Sequence, residues 1–366
     1  MTPIEFRRQL HRHPELSFKE VDTARFISSA LEQAGIEYCP IARTGILAKI
    51  EGNGDRTKAV VLRADIDALP ITERTLLEWR SQHPGIMHAC GHDMHAAILF
   101  GVLQRLVAER TFDGTIFGLF QPGEECNPGG ASLVLAENPF EDYRIKAVIG
   151  EHIEPQLEMG VIGLRSGKYM AASDELRFTI RGIGGHAALR AQLKDAVVAA
   201  AELITRLTAL NREECVLSIG KVVADGATNV VPDEVYMEGT LRTFNECERE
   251  ILCQRIRNIA ADIDTRIGVN TIIDINAGYP CVVNDPLLTK QAVTLAQTNY
   301  AVEMLPLRTT AEDFGFYGTK YPSLFYRLGV GASAGKPHTA TFNPDEGAIN
   351  VGVDFMKDLA LQILEK

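Results

Sequence analysis

No stretch of this 366-residue chain approaches the roughly 18 consecutive apolar residues that cross a bilayer, which excludes a helical membrane span. The first residues, Met1-Thr2-Pro3-Ile4-Glu5-Phe6-Arg7-Arg8, hold no apolar run of the kind a secretory leader needs, so no signal peptide is expected. Basic excess is missing too. The 37 Lys and Arg face 48 Asp and Glu, a formal net charge of −11. A nucleic-acid-binding protein leaves a basic footprint, so that class is excluded. An anionic small molecule is not, because a few buried Arg or metal ions decide that locally. A disulfide framework is also lacking. The seven cysteines (Cys39, Cys90, Cys126, Cys215, Cys247, Cys253 and Cys281) are odd in number and scattered. That usage fits a reducing cytosol, and a cytoplasmic location is expected. Internal repeats, low-complexity tracts and long linkers are absent.

The chain does have 46% apolar residues, enough for a sizeable core. Its length implies two domains, or one with an insertion. Residues 5–16 and 21–35 read as helices, the second with a stripe at Val21, Ala24, Ile27, Ala30 and Leu31. Thr57–Ile66 is a nearly continuous apolar run and reads as a buried strand. A helix over 96–109, strands at Thr115–Phe120 and Lys146–Gly150, and a helical piece at Leu133–Glu137 complete an alternating pattern. It predicts an α/β domain with a mostly parallel core sheet. From about residue 173 the pattern changes. A strand at Glu175–Arg181, a helix at 195–210, strands at Cys215–Val223 and Val235–Leu241, a helix at 246–267 and a strand at 270–276 follow. This β-α-β-β-α-β order predicts a ferredoxin-like α+β domain over 173–278. It is inserted into a catalytic α/β domain of 1–172 and 279–366, where a helix at 285–299 and a strand at Ser323–Leu328 resume.

The densest chemical signal is His88-Ala89-Cys90-Gly91-His92-Asp93-Met94-His95, in which five of eight residues can bind metal. A helix starting just after it would favour a thiolate at Cys90. Three further signals are each weak alone. They are Pro122-Gly123-Glu124-Glu125, Gly150-Glu151-His152 and Lys336-Pro337-His338. A lone loop His or a Glu-Glu turn is ordinarily solvated surface. What joins them is position, because Asp65, Asp67, Glu124, Glu125, His152 and His338 all follow expected strands. In open α/β sheets ligands bind at the carboxyl ends of the strands. Cys, His and carboxylate together suit a divalent transition metal, Zn²⁺ first, with Mn²⁺, Ni²⁺ or Co²⁺ as alternatives. Five or more candidate ligands exceed one catalytic metal and imply a two-metal site. The residues alone do not divide Glu124 from Glu125.

The motifs in order are Leu10–Leu16 (LHRHPEL), 63–70 (RADIDALP), 87–97 (MHACGHDMHAA), 119–125 (LFQPGEE), 184–188 (GGHAA), 229–233 (NVVPD), 239–243 (GTLRT), 311–314 (AEDF) and 338–346 (HTATFNPDE). With them the chain resembles, over essentially its whole length, the amidohydrolase branch of the aminoacylase and carboxypeptidase-G type metallopeptidases. That branch includes hippurate hydrolases, auxin-conjugate hydrolases and N-acetyldiaminopimelate deacetylases; 150–176 and 312–346 are most similar to the last. The resemblance implies hydrolysis of the amide bond of an N-acyl amino acid by a metal-bound water. It implies metal ligands Cys90, His92, Glu125, His152 and His338, with Cys90 bridging. Glu124 would be the general base and Asp67 would orient a ligand His. His186 would stabilise the oxyanion, and Asn229 and Arg242 would bind the substrate carboxylate. A homodimer is implied, with His186 serving the partner's site. One departure stands out, since Glu151 takes the place of an apolar residue before His152. A dipeptidase or carboxypeptidase on the same scaffold, and a non-catalytic metal- or ligand-binding protein, are the alternatives.

Overall fold

The structure is a computed structural model that describes residues 1–365. Its contacts form two units. One comprises Met1–Tyr169, Val282–Pro306 and the chain from Asp313 onward; the other comprises Met170–Cys281 and Leu307–Glu312. The short segment 307–312 joins the second unit because Met170 bridges Arg308 and the Ala171 N–H donates to the Arg308 carbonyl at 3.0 Å. The sequence expectation kept that segment in the larger domain.

The first unit is built on an eight-stranded sheet. Its centre is four parallel strands in the order Thr115–Gln121, Lys58–Asp65, Arg144–Glu154 and Ser323–Gly329. These are the continuous apolar runs, and they are buried almost throughout, as sheets covered on both faces must be. A hairpin, Glu37–Ile41 with Gly45–Glu51, extends one side antiparallel. Ile162–Leu164 and Val302–Met304 extend the other.

The helix behind the sheet centre spans His92–Glu109, four residues longer at its start than the stripe at 96–109 indicates. Gly91 caps it in the left-handed conformation at φ 105°, where a Cβ would lie 2.3 Å from Ile153 Cδ1. Only glycine serves there. The helix packs against Pro3–Arg12 and Ala348–Leu364. The first of these begins with a capping box from Thr2 and Glu5. It stops well short of residue 16, because Pro14 disfavours helical backbone at His13.

The second unit has a four-stranded antiparallel sheet in the order Cys215–Ala224, Glu234–Thr243, Ala172–Arg181, Asn270–Ala277. With the helices Ala196–Thr208 and Glu246–Ile267 this is the ferredoxin-like arrangement. Leu176, Phe178, Leu203, Met237, Leu252 and Ile256 lie in its separate core. Gly185–His186 and Val230–Val231 form a two-stranded ribbon beside the sheet. Among the described residues no helix is long and apolar enough to cross a membrane.

Candidate metal centre

The carboxyl ends of the four parallel strands gather the candidate ligands. Asp65 ends its strand and Asp67 lies just past it. Glu124 and Glu125 follow the Thr115–Gln121 strand through Pro122-Gly123, with Gly123 at φ 62°. Phe18 would meet a Cβ there at 2.4 Å. His152 is not on a loop, as the sequence indicates, but inside the Arg144–Glu154 strand. That strand runs on because Ser323–Gly329 pairs with it to Glu154. His338 sits on the loop after that neighbour at φ 61°, and its N–H donates to the Ala89 carbonyl at 2.8 Å. This bond ties the loop to the residue before Cys90.

The side chains converge in overlapping groups, each with potential ligand atoms within 4.8 Å of one another: Cys90, His92 and His152; Cys90, Glu125 and His338; His92, Glu124 and Glu125. Cys90 Sγ lies 3.3 Å from His152 Nε2, and Glu125 Oε1 lies 3.4 Å from His338 Nε2. Cys90, His92 and Glu124 are buried, whereas His338 is exposed. His92 Nδ1 faces both the Asp67 carbonyl at 2.9 Å and its carboxylate at 3.2 Å, so this nitrogen donates. Its Nε2 is buried with no hydrogen-bond partner; burial works to lower the ring, but Asp65 and then Cys90 outweigh it and hold His92 well above its usual range. A pocket that draws positive charge to this nitrogen is one that a divalent cation fits. Imidazole, thiolate and carboxylate are the donor set such a cation takes.

Burial pushes the Cys90 thiol up to about 12, against the pull of His92. The helix N-terminus therefore does not by itself make a thiolate, whereas a bound divalent cation would. Burial, reinforced by Arg327 and His95, lowers His152 well below its usual range and keeps its ring neutral. Burial works to raise the Asp67 carboxyl. Hydrogen bonds from His92, from Ser17 Oγ at 2.6 Å and from the Glu125 N–H at 3.0 Å outweigh it, and the net shift is downward.

Not all of the 88–95 cluster joins this centre. Asp93 is taken by Arg7 Nε at 3.0 Å and His11 Nδ1 at 2.9 Å. His95 bonds Asp65 at 2.6 Å, and the two form a further buried group with His92. His88 is buried with neither ring nitrogen hydrogen-bonded. Three side chains that sequence reasoning missed lie nearby. Arg63, fully buried, bonds Asp65 Oδ2 at 2.7 Å, Asp313 Oδ1 at 2.6 Å and Gln121 Oε1 at 2.9 Å. An arginine inside a continuous apolar strand is the signal that finds it.

In the second unit His186 and Asn229 are exposed: His186 pairs with Val230 in the ribbon, and the Ala187 N–H donates to the Asn229 carbonyl at 2.9 Å. Arg242 lies on the four-stranded sheet, half-buried, with Nη1 directed at Thr240 Oγ1.

The sequence profile of Peptidase family M20/M25/M40 matches residues 61–362. The N-acetyldiaminopimelate deacetylase of Pediococcus pentosaceus is 37% identical over 96% of this chain and 94% of its own length. That of Exiguobacterium sibiricum is 38% identical over 94% of this chain and 95% of its own. Among solved structures, the Bacillus subtilis YXEP protein, a dinuclear metal binding peptidase from the M20 family, superposes with a TM-score of 0.89 at 35% identity. The match covers 99% of this chain and 98% of that one.

Proposed function

The chain belongs to peptidase family M20/M25/M40, and from that premise we propose that it is a metal-dependent amidohydrolase that removes the acyl group of an N-acyl amino acid. N-acetyldiaminopimelate, named for its relatives, is the first candidate substrate. The observation that carries this reading is that the Cys90–His92–His152 and Cys90–Glu125–His338 groups share Cys90, with His92 Nε2 buried and without a hydrogen-bond partner beside them. Cys90 belongs to two of the groups, which supports a place between two divalent ions. When bound, such ions bring the pKa of water near 7 and polarise a carbonyl oxygen.

The chain's own residues supply the rest. Cys90, His92, Glu125, His152 and His338 hold the ions, and Asp67 fixes the tautomer and plane of His92 through Nδ1. Glu124 is the residue left to take a proton from the attacking water and pass it to the leaving amine. His186 is assigned to the oxyanion, and Asn229 and Arg242 to the substrate carboxylate, which a guanidinium can bind through two bonds. Zn²⁺ or Mn²⁺ is the expected metal, with Ni²⁺ or Co²⁺ as alternatives, and the cytoplasm the expected compartment, since the cysteines are all free.

Protein reconstituted with Zn²⁺, Mn²⁺, Co²⁺ or Ni²⁺ is expected to bind two ions per chain and release free amino acid from acetyl substrates faster than from benzoyl, succinyl or indole-acetyl ones. Metal analysis with an amine-release assay checks this. A protein that takes up none of these metals, or hydrolyses none of the substrates, ends the proposal.

A homodimer is the expected assembly, with the second unit at the interface. Its Cys215–Ala224 strand is an edge of the sheet with Val222 and Val223 exposed, and such edges are ordinarily protected. His186→Ala chains mixed with Glu124→Ala chains should then regain activity that neither has alone, since one site per mixed dimer is intact. Light scattering should show a dimer; a fully active monomer overturns the assignment of His186 to a neighbouring site.

A further inference from the structure

The two imidazoles of the Cys90 group are oriented by different devices. His92 is held directly by Asp67. His152 has no side-chain carboxylate on Nδ1; that nitrogen donates to the carbonyl of the next residue, Ile153, at 2.7 Å. The orientation of His152 therefore depends on what fixes Ile153. Pairing between the Lys58–Asp65 and Arg144–Glu154 strands ends at Arg63 and Gly150, so Ile153 lies beyond that ladder. Its buried N–H still needs an acceptor, and His95 Nε2 supplies it at 3.1 Å. A ring nitrogen that accepts carries a lone pair, so His95 holds its proton on Nδ1. There Asp65 Oδ1 accepts at 2.6 Å. The other Asp65 oxygen is taken by Arg63 at 2.7 Å, so both carboxylate oxygens are engaged within the protein. Asp65 and His95 are fully buried, and the His95 and His152 ring centroids lie 4.7 Å apart.

We propose that His95, oriented by Asp65, is a positioning residue that clamps Ile153 and thereby aims His152 Nε2 at a divalent ion. This rests on the reading of His152 as a metal ligand. Both polar backbone groups of Ile153 are held by imidazoles, the N–H by His95 and the carbonyl by His152. The role is relayed through a main-chain unit rather than through a carboxylate on the ligand itself.

The test uses the full chain loaded with Co²⁺, read by competition against a chromophoric chelator and by the visible absorption of the bound ion. His95→Gln places a carbonyl oxygen within reach of the Ile153 N–H. His95→Asn keeps a donor for Asp65 but withdraws the acceptor from Ile153, and His95→Ala removes both. The Ala and Asn variants should weaken one of two Co²⁺ sites by about 10–100-fold, the usual loss when a partner behind a ligand is removed. Its absorption band should shift while the other site keeps its affinity, and Gln should recover most of the loss. Wild-type affinity and spectrum in the Asn variant overturn the proposal, as does a Gln variant no better than Asn. The Asn–Gln pair decides the matter even where Ala does not fold. His152→Ala, measured alongside, should abolish the same site. If it binds both ions as wild type does, the ligand reading itself has failed rather than the clamp alone.

Discussion

Replacing Glu124 by Gln is expected to lower turnover by about two to four orders of magnitude, the usual worth of general acid–base catalysis, while folding and metal content stay at wild-type levels. Glu124 and Glu125 are chemically alike and adjacent, yet hydrolysis needs them in different roles. One must remain ionised beside a cation, and the other must accept and release a proton within a turnover. Their surroundings differ in the direction this division requires. Glu125 Oε1 lies 3.4 Å from His338 Nε2, and its own N–H is anchored on Asp67. Glu124 is buried and groups with His92 and Glu125, outside the groups that contain Cys90. Glu125→Gln should therefore lose affinity at one metal site and be rescued partly by excess metal. Metal content and turnover of both variants, measured side by side, check the division. Loss of metal in the Glu124→Gln variant with full metal in the Glu125→Gln variant reverses it, and full turnover in both removes the mechanism.

The second large effect is on stability. Arg63→Met should cost about 3–5 kcal/mol, the range for removing one partner of a buried ion pair. The penalty is not the loss of attraction alone. Asp65 and Asp313 are both fully buried, and each gives one oxygen to Arg63. Gln121 donates to both Asp313 oxygens, at 3.0 and 2.8 Å, and Tyr317 OH donates to Gln121 at 2.8 Å. Met matches the guanidinium stem in length but leaves two buried carboxylates without the guanidinium they share, Asp313 the more so because Asp65 keeps His95 and His92 beside it. Arg63→Lys keeps the charge but not the fork that reaches three partners, and should fall between. Denaturant unfolding followed by circular dichroism measures the loss. A change below about 1 kcal/mol for Arg63→Met would mean that the network is incidental.

The sequence made the architecture readable where its pattern had one cause. Apolar runs such as Val60–Leu62 and Ile116–Phe120 have no reason to exist other than a covered parallel sheet, and they form its centre. The alternation in Glu175–Arg181 marks a sheet with one covered face. Elements whose residues serve chemistry are harder to read. The first turn of the His92–Glu109 helix consists of residues that look like loop, because its buried positions are filled by groups that bind partners instead of packing. Glu151 and His152 hide the end of their strand in the same way, although Glu151 is fully buried. Pro40 conceals the hairpin strand Glu37–Ile41, since proline argues against strand except at an edge, which is where this strand lies. In the candidate centre, composition pointed to the 88–95 cluster as a whole. The family resemblance singled out Cys90 and His92 within it, and the geometry gives the others their partners: Asp93 bonds Arg7 and His11, and His95 bonds Asp65 and the Ile153 N–H.

The position of Ser323–Gly329 inside the eight-stranded sheet has a consequence for the order in which a nascent chain becomes a protein. This strand fills the place between Arg144–Glu154 and Ile162–Leu164, so the sheet stays open at its middle until almost the entire polypeptide has left the ribosome. His338 is synthesised later still. The ferredoxin-like unit is, apart from 307–312, one continuous stretch that emerges earlier and holds its own core. Biosynthesis thus delivers most of the inserted unit first, while an unpaired strand edge beside His152 awaits its neighbour, and exposed edges of this kind are where chains associate wrongly. A chain that ended after residue 281 would carry the inserted strands and helices attached to a sheet that lacks Ser323–Gly329 and the loop of His338.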